Sequence, residues 1–261
     1  MDLNLKGKTA MVCGSTQGIG KAAAIELARL GCDIVLVARD DSKLKEVIVE
    51  LKAISSGNHA FIVADFNQPD DLQQKVQAFC AKQTVHILVN NTGGPPPGPA
   101  IEAAPEQFMK AFTSHLICNQ LLVKAVVDGM KREKFGRIIS VISTSVKMPI
   151  RGLGVSNTIR GAVANWSKTL SVELAPFGIT VNNVLPGATL TGRLEAIMKT
   201  NAEKKGITVD EEKQSMVKEI PVGRIADPSE VAAAIAFLAT NAASYINGIN
   251  LPVDGGRTGT L

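Results

Sequence analysis

Thr9-Ala10-Met11-Val12-Cys13-Gly14-Ser15-Thr16-Gln17-Gly18-Ile19-Gly20 is the stretch that decides the fold, because an apolar run stops at Gly14 and a helical pattern starts near Ile19. It reads as strand, tight turn and helix. A strand that enters a helix through so short a loop needs backbone freedom at Gly14. A phosphate reaches the main chain only where no Cβ intrudes, as at Gly18 and Gly20. The turn is therefore a candidate pyrophosphate cradle, with the phosphates on the helix N-terminus. Its spacing, G-x-x-x-G-x-G, departs from the general dinucleotide fingerprint G-x-G-x-x-G, so the glycines speak to how a ligand binds and not to which one. Glycines that merely close a strand-to-helix turn would look the same.

Outward from this turn, strand and helix patterns alternate. Ile34 to Ala38, His59 to Ala64, His86 to Asn90, Arg137 to Ser143, Ile179 to Leu185 and Ile249 to Val253 read as further strands. Helical patterns run from Ser42 to Ile54, Pro69 to Gln83, Pro105 to Lys131, Val155 to Ala175 and Pro228 to Thr240. Seven apolar strands with helices between them imply an α/β fold, a single doubly wound Rossmann-type domain over residues 1–261 with a seven-stranded parallel sheet flanked by helices. Ligands of such sheets bind outside the carboxyl ends of the strands. That directs attention to Gly14–Gly20, Ala38–Asp41, Asp65, Asn90–Gly94, Ser143–Thr144 and Pro186–Thr191.

The net charge of +4 is mild and its basic residues are scattered among acids, which argues against a nucleic-acid surface. Cys13, Cys32, Cys80 and Cys118 stand singly inside apolar segments, a pattern that suits core packing in a reducing compartment better than metal or disulfides. No metal constellation is visible. The opening M-D-L-N-L-K-G-K lacks a signal peptide's apolar core, and no window approaches the roughly 20 apolar residues of a membrane span. The expectation is a cytoplasmic protein with a small-molecule substrate, away from membranes and nucleic acid.

Taken in order, the motifs resemble those of the short-chain dehydrogenase/reductases, over essentially the whole chain. The G-S-T-Q-G-I-G turn is similar to that family's T-G-x-x-x-G-I-G. Asn90-Asn91-Thr92-Gly93 resembles its N-N-A-G, Gly136-Arg137-Ile138 its fifth strand, and the strand exit at Pro186-Gly187 its proline-glycine turn. The tail S-Y-I-N-G-I-N-L-P-V-D-G-G matches its ending. The resemblance implies a dinucleotide held by Gly14, Ser15, Thr16, Gln17, Gly18, Ile19 and Gly20, with Asp65 and Phe66 toward the adenine. Asn91, Gly93, Pro186 and Gly187 would line the cleft, and Thr191 would meet the nicotinamide amide. Arg39, just after strand two, is where the family reads the adenosine ribose. An arginine there suits a 2′-phosphate, so NADP(H) is favoured over NAD(H), with Asp40 and Asp41 read as helix N-terminal acids.

The family's chemistry rests on a serine, a tyrosine, a lysine one helical turn after it, and an asparagine in the preceding long helix. Counted from Gly136-Arg137, these positions fall on Ser143, Ser156, Arg160 and His115. Tyr245, the only tyrosine, belongs to the tail motif and cannot stand in. A phenol ionises near pH 10, whereas an aliphatic hydroxyl is a far weaker acid. Arg160 keeps the positive charge and can bind a carboxylate or phosphate bidentately, but it cannot relay a proton as lysine can. It could equally hold the nicotinamide ribose. His115 has an unperturbed pKa near neutrality and could protonate a carbonyl oxygen, or could simply bond backbone in a helix bend. Ser143 could orient a substrate oxygen or cap a turn.

Two functions remain compatible with these residues. One is an NADP(H)-dependent oxidoreductase acting on a carbonyl or alcohol with altered proton-transfer groups. The other is a catalytically inactive NADP(H)-binding sensor or oligomer subunit. Residues 187–222, rich in Lys, Glu and Thr, correspond to the family's substrate lid. The family also packs the two long helices against copies of themselves, which implies a homotetramer or homodimer. The apolar runs Leu121-Leu122-Val123 and Ala125-Val126-Val127 exceed one helix face and agree with that.

Overall fold

The computed structural model describes residues 1–260. Its strands are β1 (Thr9–Cys13), β2 (Asp33–Ala38), β3 (Ala60–Val63), β4 (Ile87–Asn90), β5 (Gly136–Val141), β6 (Ile179–Pro186) and β7 (Asn250–Val253). They form one parallel sheet in the order β3-β2-β1-β4-β5-β6-β7. Strand order reverses between β1 and β4, and this switch point opens a crevice at the carboxyl ends of those strands.

Alternation along β1 builds both layers. Val12 faces one core with Ile34 and Leu36, against α1 (Gly18–Arg29), α2 (Asp41–Ile54) and α9 (Pro228–Ala239). Met11 faces the other with Val35 and Val37, against α3 (Pro69–Cys80) and α5 (Cys118–Glu133). Because both faces are covered, β1, β2 and β4 are largely buried apolar runs with no polar alternation. Caps set the helix starts: Asp40 accepts from the Lys43 amide at 3.1 Å to begin α2, and Asp227 with Glu230 forms a capping box on α9.

Three local expectations are corrected. The long helix is not regular: α4 (Pro105–Phe112) passes through a π-helical turn, Thr113–Ile117, before α5 continues. Strand five ends at Val141, so Ser143 lies beyond it and caps a short 3₁₀ turn, Thr144–Val146. The first helix begins at Gly18, so Gly18 and Gly20 lie inside its first turn. Residues 187–222 hold two helices, α7 (Gly192–Lys205) and α8 (Val209–Lys218). They are clamped by buried Glu212, which accepts from Lys205 at 2.6 Å and Asn201 at 3.1 Å. The remaining long helix is α6 (Gly154–Leu174). No helix among the described residues is long and apolar enough to cross a membrane.

Candidate active site and cofactor cleft

The glycine turn is built so that no other residue fits. Gly14 has φ +57°, and a Cβ there would come within 2.6 Å of the Asn91 carbonyl oxygen. A Cβ on Gly20 would lie 2.2 Å from the Gly14 carbonyl oxygen. The Asn91 amide Nδ2 donates to the carbonyls of Cys13 and Gly14, each at 3.2 Å, and so ties β4 to the turn. Above Gly93 the space is open. Thr191 reaches over from the far side: its Cγ2 would meet a Cβ on Gly18 at 3.0 Å, and its Oγ1 caps α7 by accepting from Leu194 at 3.3 Å. The β6 exit at Pro186 and Gly187 is fixed by the Gly187 amide donating to Val253 at 2.9 Å.

The N-terminus of α1 fits a pyrophosphate. Gln17 at the N-cap makes no side-chain cap bond, and the first turn carries no acidic side chain. Its amides therefore lack a capping acceptor at the positive end of the helix dipole, a ready anion site. The buried Ser15 hydroxyl beside it also lacks a partner among the described residues. Thr16, between them, lies in the same turn. Arg39 is exposed at the end of β2 with no ion pair among the described residues, while Asp40 is engaged in capping and Asp41 pairs with Lys45 at 2.5 Å. Asp65 accepts from the amide and side chain of Asn67, holding the loop after β3. The Phe66 carbonyl next to it accepts from the Cys118 thiol at 3.3 Å.

The other side of the cleft is assembled from the π turn, α6 and α7. His115 is buried in the π turn, its Nδ1 2.6 Å from the Thr92 hydroxyl. Burial pushes its pKa down to about 2, with the charges of Arg160 and Arg193 acting in the same direction. Burial therefore favours the neutral ring. Arg160 is buried one turn after buried Ser156 on α6, and its Nη1 donates to the Val141 carbonyl at 3.0 Å. Burial lowers its pKa to about 10, still protonated. Ser143 Oγ accepts from the Ser145 amide at 3.1 Å, so it caps the turn while its own proton remains free to donate.

Arg193 is the residue that sequence reasoning missed. It stands in the first turn of α7, and its guanidinium donates to the carbonyls of Gly94 at 2.5 Å and Pro95 at 3.0 Å. A Cβ on Gly94 would lie 2.5 Å from this guanidinium. The only advance signal is its position two residues after Thr191. His86 and His59 are structural: their Nδ1 atoms accept from the Thr9 and Ile34 amides at 3.0 and 3.2 Å.

Comparison with known proteins identifies the family. A family model described as enoyl-(acyl carrier protein) reductase matches residues 14–258. The NADPH-dependent reductase BacG of Bacillus subtilis is 30% identical over 95% of this chain and 97% of its own length. The 3-oxoacyl-[acyl-carrier-protein] reductase FabG of Vibrio cholerae is 31% identical over 97% of this chain and 98% of its own length. The L-sorbose reductase of Gluconobacter frateurii, solved with NADPH and L-sorbose, superposes with a TM-score of 0.94 at 31% identity over 100% of both chains. A match that runs from the glycine turn almost to the C-terminus shows that the chain belongs to the short-chain dehydrogenase/reductase family.

Proposed function

We propose that this protein is an NADP(H)-dependent oxidoreductase that interconverts a carbonyl and an alcohol without the family's tyrosine and lysine. The observation that carries the reading is the uncapped N-terminus of α1 behind a glycine turn in which added Cβ atoms would collide. Gly14 to Gly20 would bind the pyrophosphate, Arg39 the 2′-phosphate, and Asp65 and Phe66 the adenine side. Asn91, Gly93, Pro186, Gly187 and Thr191 would line the remainder, with Arg160 toward the nicotinamide ribose or an anionic substrate. When bound, the nicotinamide supplies the hydride.

The chain's own residues must then orient the carbonyl and deliver a proton. Ser143 donates its free hydroxyl proton to the carbonyl oxygen as a hydrogen bond. Ser156 is too short and too weakly acidic to replace a phenol. His115 acts as a neutral ring: Nε2–H gives its proton to the developing alkoxide while Nδ1 takes one through the Thr92 hydroxyl 2.6 Å away. Thr92 takes up a solvent proton in the same step, so no threonine alkoxide forms. Such a relay never needs the imidazolium that burial forbids.

Residues 187–222 would act as the lid, with α7 covering the cleft. The exposed Val172 on α6 and Met109 on α4, with half-buried Leu121 and Val127 on α5, support a homodimer or homotetramer through these helices. The four cysteines, unpaired among the described residues, fit the cytoplasm.

Titration with NADPH and NADH, followed by a carbonyl screen read as loss of reduced cofactor, tests the reading. Tighter binding of NADPH with turnover of at least one carbonyl is the expected result. Tight NADPH binding with no turnover would favour the sensor or subunit function, and no binding of either dinucleotide would overturn both.

A further inference from the structure

We infer that the site is built for a short aliphatic oxo acid, with the substrate carboxylate held by the guanidinium of Arg193 on the lid helix and Arg160 beneath it. This rests on the oxidoreductase reading above and names its substrate class.

Two cations stand close to each other with no acid to balance them. Arg160 is 9% exposed and its one hydrogen bond goes to a backbone carbonyl. The guanidinium of Arg193 likewise bonds only the Gly94 and Pro95 carbonyls. Neither pairs with a carboxylate among the described residues. Each cation is near enough to disfavour protonation of His115, and Arg193 acts on Arg160 in the same way. A buried cation such as Arg160, repelled by the exposed guanidinium of Arg193, costs free energy unless an anion joins them. A carboxylate is a stronger acceptor than the two neutral carbonyls that Arg193 now holds, so it can draw the guanidinium from them.

The anion belongs to the substrate more naturally than to the cofactor. The pyrophosphate seat is the uncapped α1 N-terminus, and Arg193 makes no bond to that turn; it reaches instead to the loop after β4, on the His115 side. Beside Arg193 lies a cleft of about 260 Å³ walled by the prolines Pro95–Pro97, Ala196 and Ile197. It has one charge, no aromatic ring and room for a small chain. An aliphatic carbonyl compound with a terminal carboxylate matches both the charge and the walls.

The test uses matched probes on the NADPH complex: levulinate against methyl levulinate, and acetoacetate against methyl acetoacetate. Binding is measured by calorimetry and turnover by NADPH oxidation, in the wild type, Arg193→Gln and Arg193→Lys. NADPH affinity is measured separately by fluorescence. The wild type should prefer each acid over its ester by about tenfold or more, since a charge-assisted bond is lost in the ester. Arg193→Gln should bring that ratio near one, and Arg193→Lys should fall between, because a point charge replaces the fork. The ratio is taken on one preparation, so partial misfolding lowers both terms and leaves it unchanged. An ester bound as well as its acid by the wild type overturns the inference, as does failure of both acids to bind. So does an Arg193→Gln protein that keeps its acid preference but loses NADPH affinity, which would assign Arg193 to the pyrophosphate. In each of these cases NADPH binding by the wild type leaves the oxidoreductase reading standing, whereas its absence would remove that reading.

Discussion

The cofactor side of the cleft is made of backbone, and the substrate side of side chains that meet from distant parts of the chain. At the glycine turn, geometry is fixed by missing Cβ atoms: Gly14 at φ +57°, Gly20 against the Gly14 carbonyl, and Asn91 bonding both Cys13 and Gly14. On the other side, the same scaffold carries a π turn, a neutral histidine and two arginines. The glycine turn therefore tolerates no added Cβ at Gly14 or Gly20, while the other side depends on individual side chains.

The comparison is broken most severely at Gly20. Gly20→Ala places a Cβ 2.2 Å from the Gly14 carbonyl oxygen, so the turn must open. We expect a loss of about 3 kcal/mol in denaturant unfolding, in the range of substitutions that strain special backbone positions, together with loss of NADPH binding. Retention of both would show that the turn is not held by that contact.

A smaller effect is expected at Arg39, which touches only the distinction between dinucleotides. Arg39→Asp should reduce the preference for NADPH over NADH by about tenfold or more, since it removes a charge-assisted bond and adds repulsion. Unchanged preference in fluorescence titrations would place the 2′-phosphate elsewhere.

The smallest effect is a pH dependence of stability that separates the two sides. His115 is held neutral down to about pH 2 in the folded protein, against an ordinary value of 6.5. Above pH 6.5 both states are neutral and the residue contributes nothing to the slope. As pH falls below 6.5 the unfolded chain takes up a proton that the folded chain refuses, so stability declines by about 1 kcal/mol per pH unit. His59 and His86 are shifted the same way, so the signal is the difference between the wild type and His115→Gln from pH 7 to pH 5. Identical slopes would mean that His115 takes up its proton in the fold as readily as in the unfolded chain.

Much of the fold was legible because its signals are local. Apolar runs marked the strands, continuous in β2, β3 and β4 and interrupted by polar residues in β5, β6 and β7, and glycine and proline marked strand exits. The π turn was not legible, since one widened turn over five residues leaves no periodicity distinct from the helix around it. Ser143 was placed on a strand because Ile142 continues the apolar run, although the strand's pairing with β6 ends at Val141. His115 was readable by position but not by charge, which depends on burial and on two arginines from other helices. Arg193 was invisible because its partners lie 98 and 99 residues earlier, across a contact that only folding creates.

The central claim is that the proton path has moved from the α6 helix to the pair His115 and Thr92. It is tested most directly by single-turnover oxidation of bound NADPH by a carbonyl that the screen shows to be reduced, in the wild type, Ser156→Ala, Thr92→Val and His115→Ala. The account predicts that Ser156→Ala stays within about threefold of the wild type, while His115→Ala loses about a hundredfold or more and Thr92→Val falls between, as expected for removal of a positioned proton donor. Loss of turnover in Ser156→Ala with a normal rate in His115→Ala would contradict it.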